Sequence, residues 1–527
     1  MLRTQLNDAL KEAMKSKDKL AVSTLRLILA AVKDRDIAHR TQDADKEGIS
    51  EEEILKLLQS MIKQRQDSIV AYNKGNRPEL AESEEKEIEI GRTYNSQVLQ
   101  MERVYRDTAL TKYVQDLGDK LAGISHRSNL VYRFTVLDSP DVNAFALPGG
   151  YIFIYRGLMS YLSSEEELAA VLGHELGHVT ARHSIRQASK AQILDILSYA
   201  VGSRVGSTAG NVTSLVSGAF LAGYGRDMEL QADSLGAEYM SQVGYSTQGM
   251  IEIISVLKEQ ELYSKEMAER RGSVTQTYHG VFSSHPSNDK RLQEVVRAAE
   301  VKSSITAKKP LNLYLNKIDG MVYGDSESDG IRRKDSFYHG GLGIYLTSPK
   351  DWEIINTPST LIFSAPKGEA TMSLNVIDLN RRESPKEYLN RLSQGNLFQD
   401  RAFKLGGFEA HTGLLIQNSK THRVAVVFKD KQIFRFSGSS LFDNKEIQKY
   451  DNYFLDIINS FRGLKENEKK LTKPLRIKIY KVKPNDSYIS LAKNSPIPFD
   501  PEKKLRLLNG DYPDKKIVVG RLIKLVE

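Results

Sequence analysis

The sequence has no cysteine among its 527 residues. That excludes disulfides, thiolate metal sites and a cysteine nucleophile, and leaves the redox compartment open. No apolar run reaches the roughly 18 residues that mark a membrane-spanning helix. The N-terminus, MLRTQLNDALKEAMKSKDK, alternates charged and apolar residues where an export signal would have an unbroken apolar core. As written, no export signal is expected, and the compartment stays unresolved: cytoplasmic if this N-terminus is genuine, open otherwise. No repeat of about 34 residues recurs, which argues against a helical-repeat array. A dominant charge is missing too. Lys and Arg number 75 against 67 Asp and Glu, so the net +8 suits an anionic surface without giving a strong nucleic-acid signal. The remainder is ordinary: 40% hydrophobic and 27% charged, a globular composition long enough for several domains.

Against that background one stretch stands out, VLGHELGHVTARH from Val171 to His183. It places His174, Glu175 and His178 in the order H-E-x-x-H. On a helix, positions four apart share a face, so both imidazoles can address one metal ion, with Glu175 close enough to reach a water there. Ser164 and Glu167 form a capping-box pattern ahead of the apolar run from Leu168 to Leu172. Gly177 costs helix stability, so a close neighbour is expected against it. About one chain in a hundred of this length and composition would show H-E-x-x-H by chance, so the motif needs further ligands. RDMELQADSLGAEYMSQVGY supplies them: Glu229 is the expected third metal ligand, and Asp233, one turn on, is placed to hydrogen-bond a ligating histidine. The metal expected is one zinc ion per chain.

Other segments bear on this site. Pro148-Gly149-Gly150 signals a turn, and the β-rich run after it fits two readings equally: an ordinary core strand, or an edge strand whose Gly150, Tyr151, Ile152 and Phe153 pair with an extended substrate. HGVFSSHPSNDKRL adds His279 and His285, candidates for contact with the oxyanion or the metal.

Four domains are read. Residues 1–83 are helical, with a stripe at Leu25, Ile28, Leu29 and Val32 and a second at Ile54, Leu57, Leu58, Met61 and Ile62 behind the capping box Ser50-x-x-Glu53. Residues 88–300 hold the metal motif, in a mainly α domain with a small sheet. After a linker at 301–315, residues 310–465 alternate as strands and close with a helix carrying Tyr450, Tyr453, Phe454, Ile457, Ile458 and Phe461, an α+β domain in which Trp352 reads as core and Ser437–Ser440 as a turn. A charged linker, 465–474, leads to a small module, 475–527. The fold class is multidomain α+β.

Three resemblances follow from this text. LNDALKEAMKSKDKLAVSTLRLILAAVKDRDIA and ISEEEILKLLQSMIKQRQDSIVAYNKGNRPELAE resemble the N-terminal half of YqeY proteins, relatives of the GatB tail domain, and the resemblance stops near Glu84. VNAFALPGGYIFIYRGLM, ELAAVLGHELGHVTARHS, the Glu229–Asp233 pair and SHPSNDKRL resemble the HtpX/Oma-type gluzincin peptidases, metallopeptidase family 48, and within it the periplasmic BepA-like group. That resemblance implies zinc held by His174, His178 and Glu229, Glu175 as the base, and His285 as a gate over the open zinc position. It also implies protein or peptide substrates from the cell envelope. This chain lacks the tetratricopeptide tail of the BepA-like group. Residues 475–527 resemble a LysM module, implying association with peptidoglycan or the outer membrane. Two further readings stand beside a zinc endopeptidase: an envelope or glycan-binding scaffold with latent proteolysis, and an RNA- or synthetase-associated N-terminal module.

Overall fold

The computed structural model describes residues 2–15, 25, 28–29, 31–33, 35–36, 48–58, 78–187, 224–270, 312–357, 359–417, 420–440 and 447–527. It is a multidomain α+β protein with a helical N-terminal region, a mainly helical central domain and several sheets in the C-terminal part.

In the N-terminal region, α1 (Leu2–Lys15) lies against a small cluster of Ala31, Val32, Ile49, Ile54 and Leu57. Arg3 forks onto the Asp36 carboxylate and donates to the Ile49 carbonyl at 2.8 Å. The Ser50–Glu53 capping box forms, with Ser50 N to Glu53 Oε2 at 2.8 Å and the return bond at 3.3 Å. Met61 and Ile62 lie outside the described residues. The helix α2 (Pro78–Met101) runs straight through the expected 83/88 boundary. Its Ile90, Tyr94 and Val98 pack on the sheet of the next domain.

The central domain begins with α3 (Thr108–Gly123), then β1 (Arg133–Leu137), β2 (Ala144–Leu147), β3 (Tyr151–Tyr155) and α4 (Arg156–Tyr161). Gly149 and Gly150, at φ +76° and +93°, make the turn between β2 and β3. The sheet order is β1-β3-β2, with β1 parallel and β2 antiparallel to β3. This corrects the edge-strand expectation for Gly150–Phe153. Both sides of β3 are hydrogen-bonded, and all five of its residues are buried, so it has no edge to offer a peptide. Among the described residues the four-residue β2 is an edge strand of this sheet.

Next comes α5 (Glu165–Thr180), buried on almost every side, which makes it a core helix. The Ser164 hydroxyl accepts from the Glu167 amide at 3.1 Å, while the Glu167 carboxylate accepts from the Ser163 amide at 2.8 Å, one residue beyond a strict capping box. After α6 (His183–Gln187), the described chain resumes with α7 (Arg226–Gln242) and α8 (Gln248–Arg270), which both pack on α5.

Of the expected linker at 301–315, residues 301–311 lie outside the described residues, and the remainder is not a linker. Asn312–Ile318 form α9, with Tyr314 fully buried and its hydroxyl donating to the Met159 carbonyl at 2.6 Å. The short β4 (Val322–Tyr323) follows. The chain then leaves for the accessory domain: β5 (Ile331–Arg333), β6 (Ser336–His339), β7 (Ile344–Thr347), β8 (Glu353–Asn356), β9 (Leu361–Ser364), β10 (Ala370–Asp378), α10 (Pro385–Leu392), β11 (Leu397–Leu405), β12 (Phe408–Gln417), β13 (Lys420–Lys429), β14 (Gln432–Ser440), α11 (Ile447–Asn459) and β15 (Arg462–Gly463). Its antiparallel seven-stranded sheet, β11-β12-β13-β14-β10-β9-β8, is covered on both faces. On β13, Ala425 and Val427 face the cluster of Tyr450, Phe454, Ile457 and Ile458, while Val424 and Val426 join Tyr388 and Leu389 of α10. Trp352 is buried against α11, whereas Tyr453 is largely exposed. Ser437–Ser440 belong to β14 and not to a turn.

The chain returns with β16 (Leu475–Lys481), α12 (Tyr488–Ala492), α13 (Pro501–Leu508) and β17 (Leu522–Val526). The sheet β17-β16-β4 joins this last module to residues 322–323, and Ile477 sits in the same hydrophobic core as α5.

Candidate metal centre

The metal-binding group is made where α5 and α7 touch, and small residues let them touch. A Cβ on Gly177 would lie 2.7 Å from the Ala232 carbonyl oxygen, and one on Gly173 would lie 3.2 Å from that of Gly236. That close approach carries Glu229 and Asp233 to the histidine face of α5. One donor atom each from His174, His178 and Glu229 lie within 4.8 Å of one another, the one such group among the described residues. The two imidazole Nε2 atoms are 3.0 Å apart, and the Glu229 oxygens are 3.5 Å and 3.4 Å from them. Asp233 Oδ1 sits 2.8 Å from His174 Nδ1. A carboxylate only accepts here, so that nitrogen donates and His174 Nε2 keeps its lone pair toward the group. Burial pushes the His178 pKa down to about 3, which holds that ring neutral.

This chemistry fits zinc. Glu229 is fully buried, and a buried carboxylate facing imidazole lone pairs is costly unless a cation sits among them. Two imidazole nitrogens and one carboxylate are the donors of an open catalytic zinc site. Glu175 is buried beside them and lines a small, mostly apolar cleft with His174, Ala144 of β2, Val171, Met250 and Ile254.

The sequence-derived candidates divide accordingly. His174, His178, Glu229 and Asp233 come together, and Glu175 lies with them. Gly150, Tyr151, Ile152 and Phe153 do not form the free strand; β2, one hairpin turn earlier, is the strand beside the cleft. His279 and His285 lie outside the described residues.

Three groups went unread in the sequence. His183, fully buried, has its Nδ1 2.9 Å from His178 Nδ1. Tyr224 stacks on the His178 ring at 4.0 Å and hydrogen-bonds Ser184 at 2.7 Å. Arg127 donates to the Val179 carbonyl at 3.2 Å, near the end of α5, and is held by Glu84 and Glu87 of α2. Glu87 also pairs with Arg182 at 3.2 Å. A third histidine nine residues after the first was the available signal for His183. The other two contacts are long-range and left no pattern.

Residues 108–299 match the family model described as Peptidase family M48, and residues 3–123 match that of Yqey-like protein. The second match extends past Glu84, where the resemblance in the sequence stops, and overlaps the first along α3. Among similar proteins, metalloprotease YcaL of Escherichia coli (strain K12) is 30% identical over 190 residues, covering 35% of this chain and 67% of that protein. A beta-barrel assembly-enhancing protease of Yersinia pestis is 27% identical, over 46% of this chain and 50% of its own length. Mitochondrial metalloendopeptidase OMA1 of Schizosaccharomyces pombe is 27% identical, over 35% and 52%. The chain spans about half the length of the beta-barrel assembly-enhancing proteases it matches. Among the described residues no helix is long and apolar enough to cross a membrane.

Proposed function

The chain belongs to peptidase family M48, and from that membership and the arrangement of its buried donors we propose that it is a zinc-dependent endopeptidase acting on protein substrates in cell-envelope quality control. The observation that carries the reading is the convergence of His174, His178 and Glu229 within 4.8 Å. Zinc bound there supplies a Lewis acid that polarises a carbonyl and acidifies a water. Glu175 is the general base: it takes the proton of the attacking water and delivers it to the departing amine. Asp233 fixes the His174 ring. The side of β2 that pairs with no strand among the described residues, and whose Ala144 lines the cleft, would offer backbone groups to an extended peptide. The apolar cleft walls, Val171, Met250, Ile254 and Leu257, favour an apolar substrate side chain. The envelope setting is supported by the names of the relatives. His285 keeps its proposed role as a gate on the resemblance alone.

The test is proteolysis of unfolded casein by the full chain, before and after treatment with a chelator. Activity lost to the chelator and restored by about one equivalent of zinc is expected. Cleavage indifferent to the chelator would overturn the metal assignment.

A second, compatible reading concerns the last module. Its order of strand, two helices and strand, with β16 antiparallel to β17, supports a LysM-like unit. Ile489, Val518 and Val519 on it are each more than half exposed. Sedimentation of the full chain with purified peptidoglycan tests glycan association; a protein that stays in the supernatant rules it out.

A further inference from the structure

The hydrogen bonds around His183 fix proton positions all the way to the metal group. Arg186 stands at the outer end of this series of contacts. Its guanidinium can only donate, and its Nη1 lies 3.1 Å from Gln231 Oε1. The amide of Gln231 therefore turns its oxygen toward this spot. The same oxygen lies 3.0 Å from His183 Nε2, so His183 donates from Nε2. A neutral imidazole that donates from Nε2 accepts at Nδ1. His183 Nδ1 faces His178 Nδ1 at 2.9 Å, so His178 donates there. His178 is left with its lone pair on Nε2, the atom that faces Glu229 and His174.

We propose that His183, oriented by Gln231 and Arg186, is the positioning residue that selects the metal-binding tautomer of His178. It does for the second histidine ligand what Asp233 does for the first. The backbone is built for it: Arg182, at φ +56°, follows α5 in the left-handed region, and His183 next to it meets the Nδ1 edge of the His178 ring. His183 is fully buried, and Tyr224 stacks on a face of the His178 ring. The two ligands are thereby unequal. His174 donates to a charged carboxylate, His178 to a neutral ring, which makes His178 the less basic donor of the pair. The relay also ends at the surface, since Gln231 is exposed, so a substitution there reaches the ligand His178 through two hydrogen bonds.

This inference rests on the zinc reading above. The experiment uses the full chain and measures zinc affinity by competition with a chromophoric chelator, together with the visible spectrum of the cobalt-substituted protein. Three variants are compared: His183→Gln, whose side-chain oxygen can still accept from His178; His183→Leu, which cannot; and Gln231→Leu, at an exposed site that leaves the core untouched. His183→Leu is expected to bind zinc about 10–100-fold more weakly, with a changed cobalt spectrum. His183→Gln should recover most of the affinity, and Gln231→Leu should fall between the two. Zinc binding by His183→Leu equal to wild type would overturn the proposal. So would equal losses in His183→Gln and His183→Leu, or a Gln231→Leu protein indistinguishable from wild type. Failure of the wild-type chain to bind zinc at all would instead remove the metal reading itself.

Discussion

His174 donates its Nδ1 proton to Asp233 at 2.8 Å, and that bond aims its Nε2 at the metal group. Replacing Asp233 with Asn keeps an acceptor but removes the charge that makes the ring a better ligand. Asp233→Asn is therefore expected to weaken zinc binding about 10–100-fold with little change in fold. A chelator titration checks this, and unchanged affinity would show that the carboxylate charge is irrelevant. At this scale the sequence was informative where spacing alone decides. His174 and His178 share a face because they are four apart, and Glu229 and Asp233 repeat that spacing on α7. His183 was not legible, because its position depends on one left-handed residue after the helix ends. The partners Gln231 and Arg186 are joined to it only through folding.

Helix packing sets the distance between those two sets of residues. Gly177 faces the backbone of Ala232, with no room for a methyl group. Gly177→Ala should push α7 from α5 and cost about 1–3 kcal/mol of stability, as overpacking does. It should also weaken metal binding, because Glu229 moves with α7. Denaturant unfolding with and without zinc measures both, and a variant as stable as wild type would mean the helices can part without cost. The expected close neighbour of Gly177 was readable from a glycine inside an apolar helix. The strand assignment was less so. Tyr151–Tyr155 reads as a strand, but whether it is central depends on β1, eighteen residues earlier and parallel to it, and on the short AFAL segment of β2. Neither pairing leaves a mark in local periodicity.

Across the whole molecule, the accessory domain leaves and re-enters through a single seam. Val322–Tyr323 pair with Leu475–Arg476, and Lys524 of β17 reaches the start of the α5 region, donating to the Leu162 carbonyl at 2.6 Å beside Glu167. Lys503 and Tyr512 both meet Glu266 of α8. A chain ended at residue 474 is thus expected to lose the fold of the peptidase domain, not merely a tail. Lys524→Met, which strands a buried carbonyl, should cost about 1–3 kcal/mol. An active, stable truncated protein would refute this coupling. Pairing across some 150 residues is invisible in sequence, so the module read there as a separate tail. The junction also titrates. Burial, with Asp141 and Asp329 nearby, pushes Glu102 from 4.5 up to about 7. The folded form then binds more protons than the unfolded one between those values. Stability falls as pH rises through that window and levels off above it. Glu102→Gln should accordingly raise the melting temperature at about pH 8 and leave it near wild type at about pH 4; the reverse pattern would contradict the assignment.

The central claim is that Glu175 moves the proton while His174, His178 and Glu229 hold the metal. Wild type and Glu175→Gln, each brought to one zinc per chain and shown to melt alike, are to be compared on the same unfolded substrate. The account predicts equal zinc content and cleavage slowed by about 10²–10⁴-fold in the variant. Equal rates at equal zinc would contradict it.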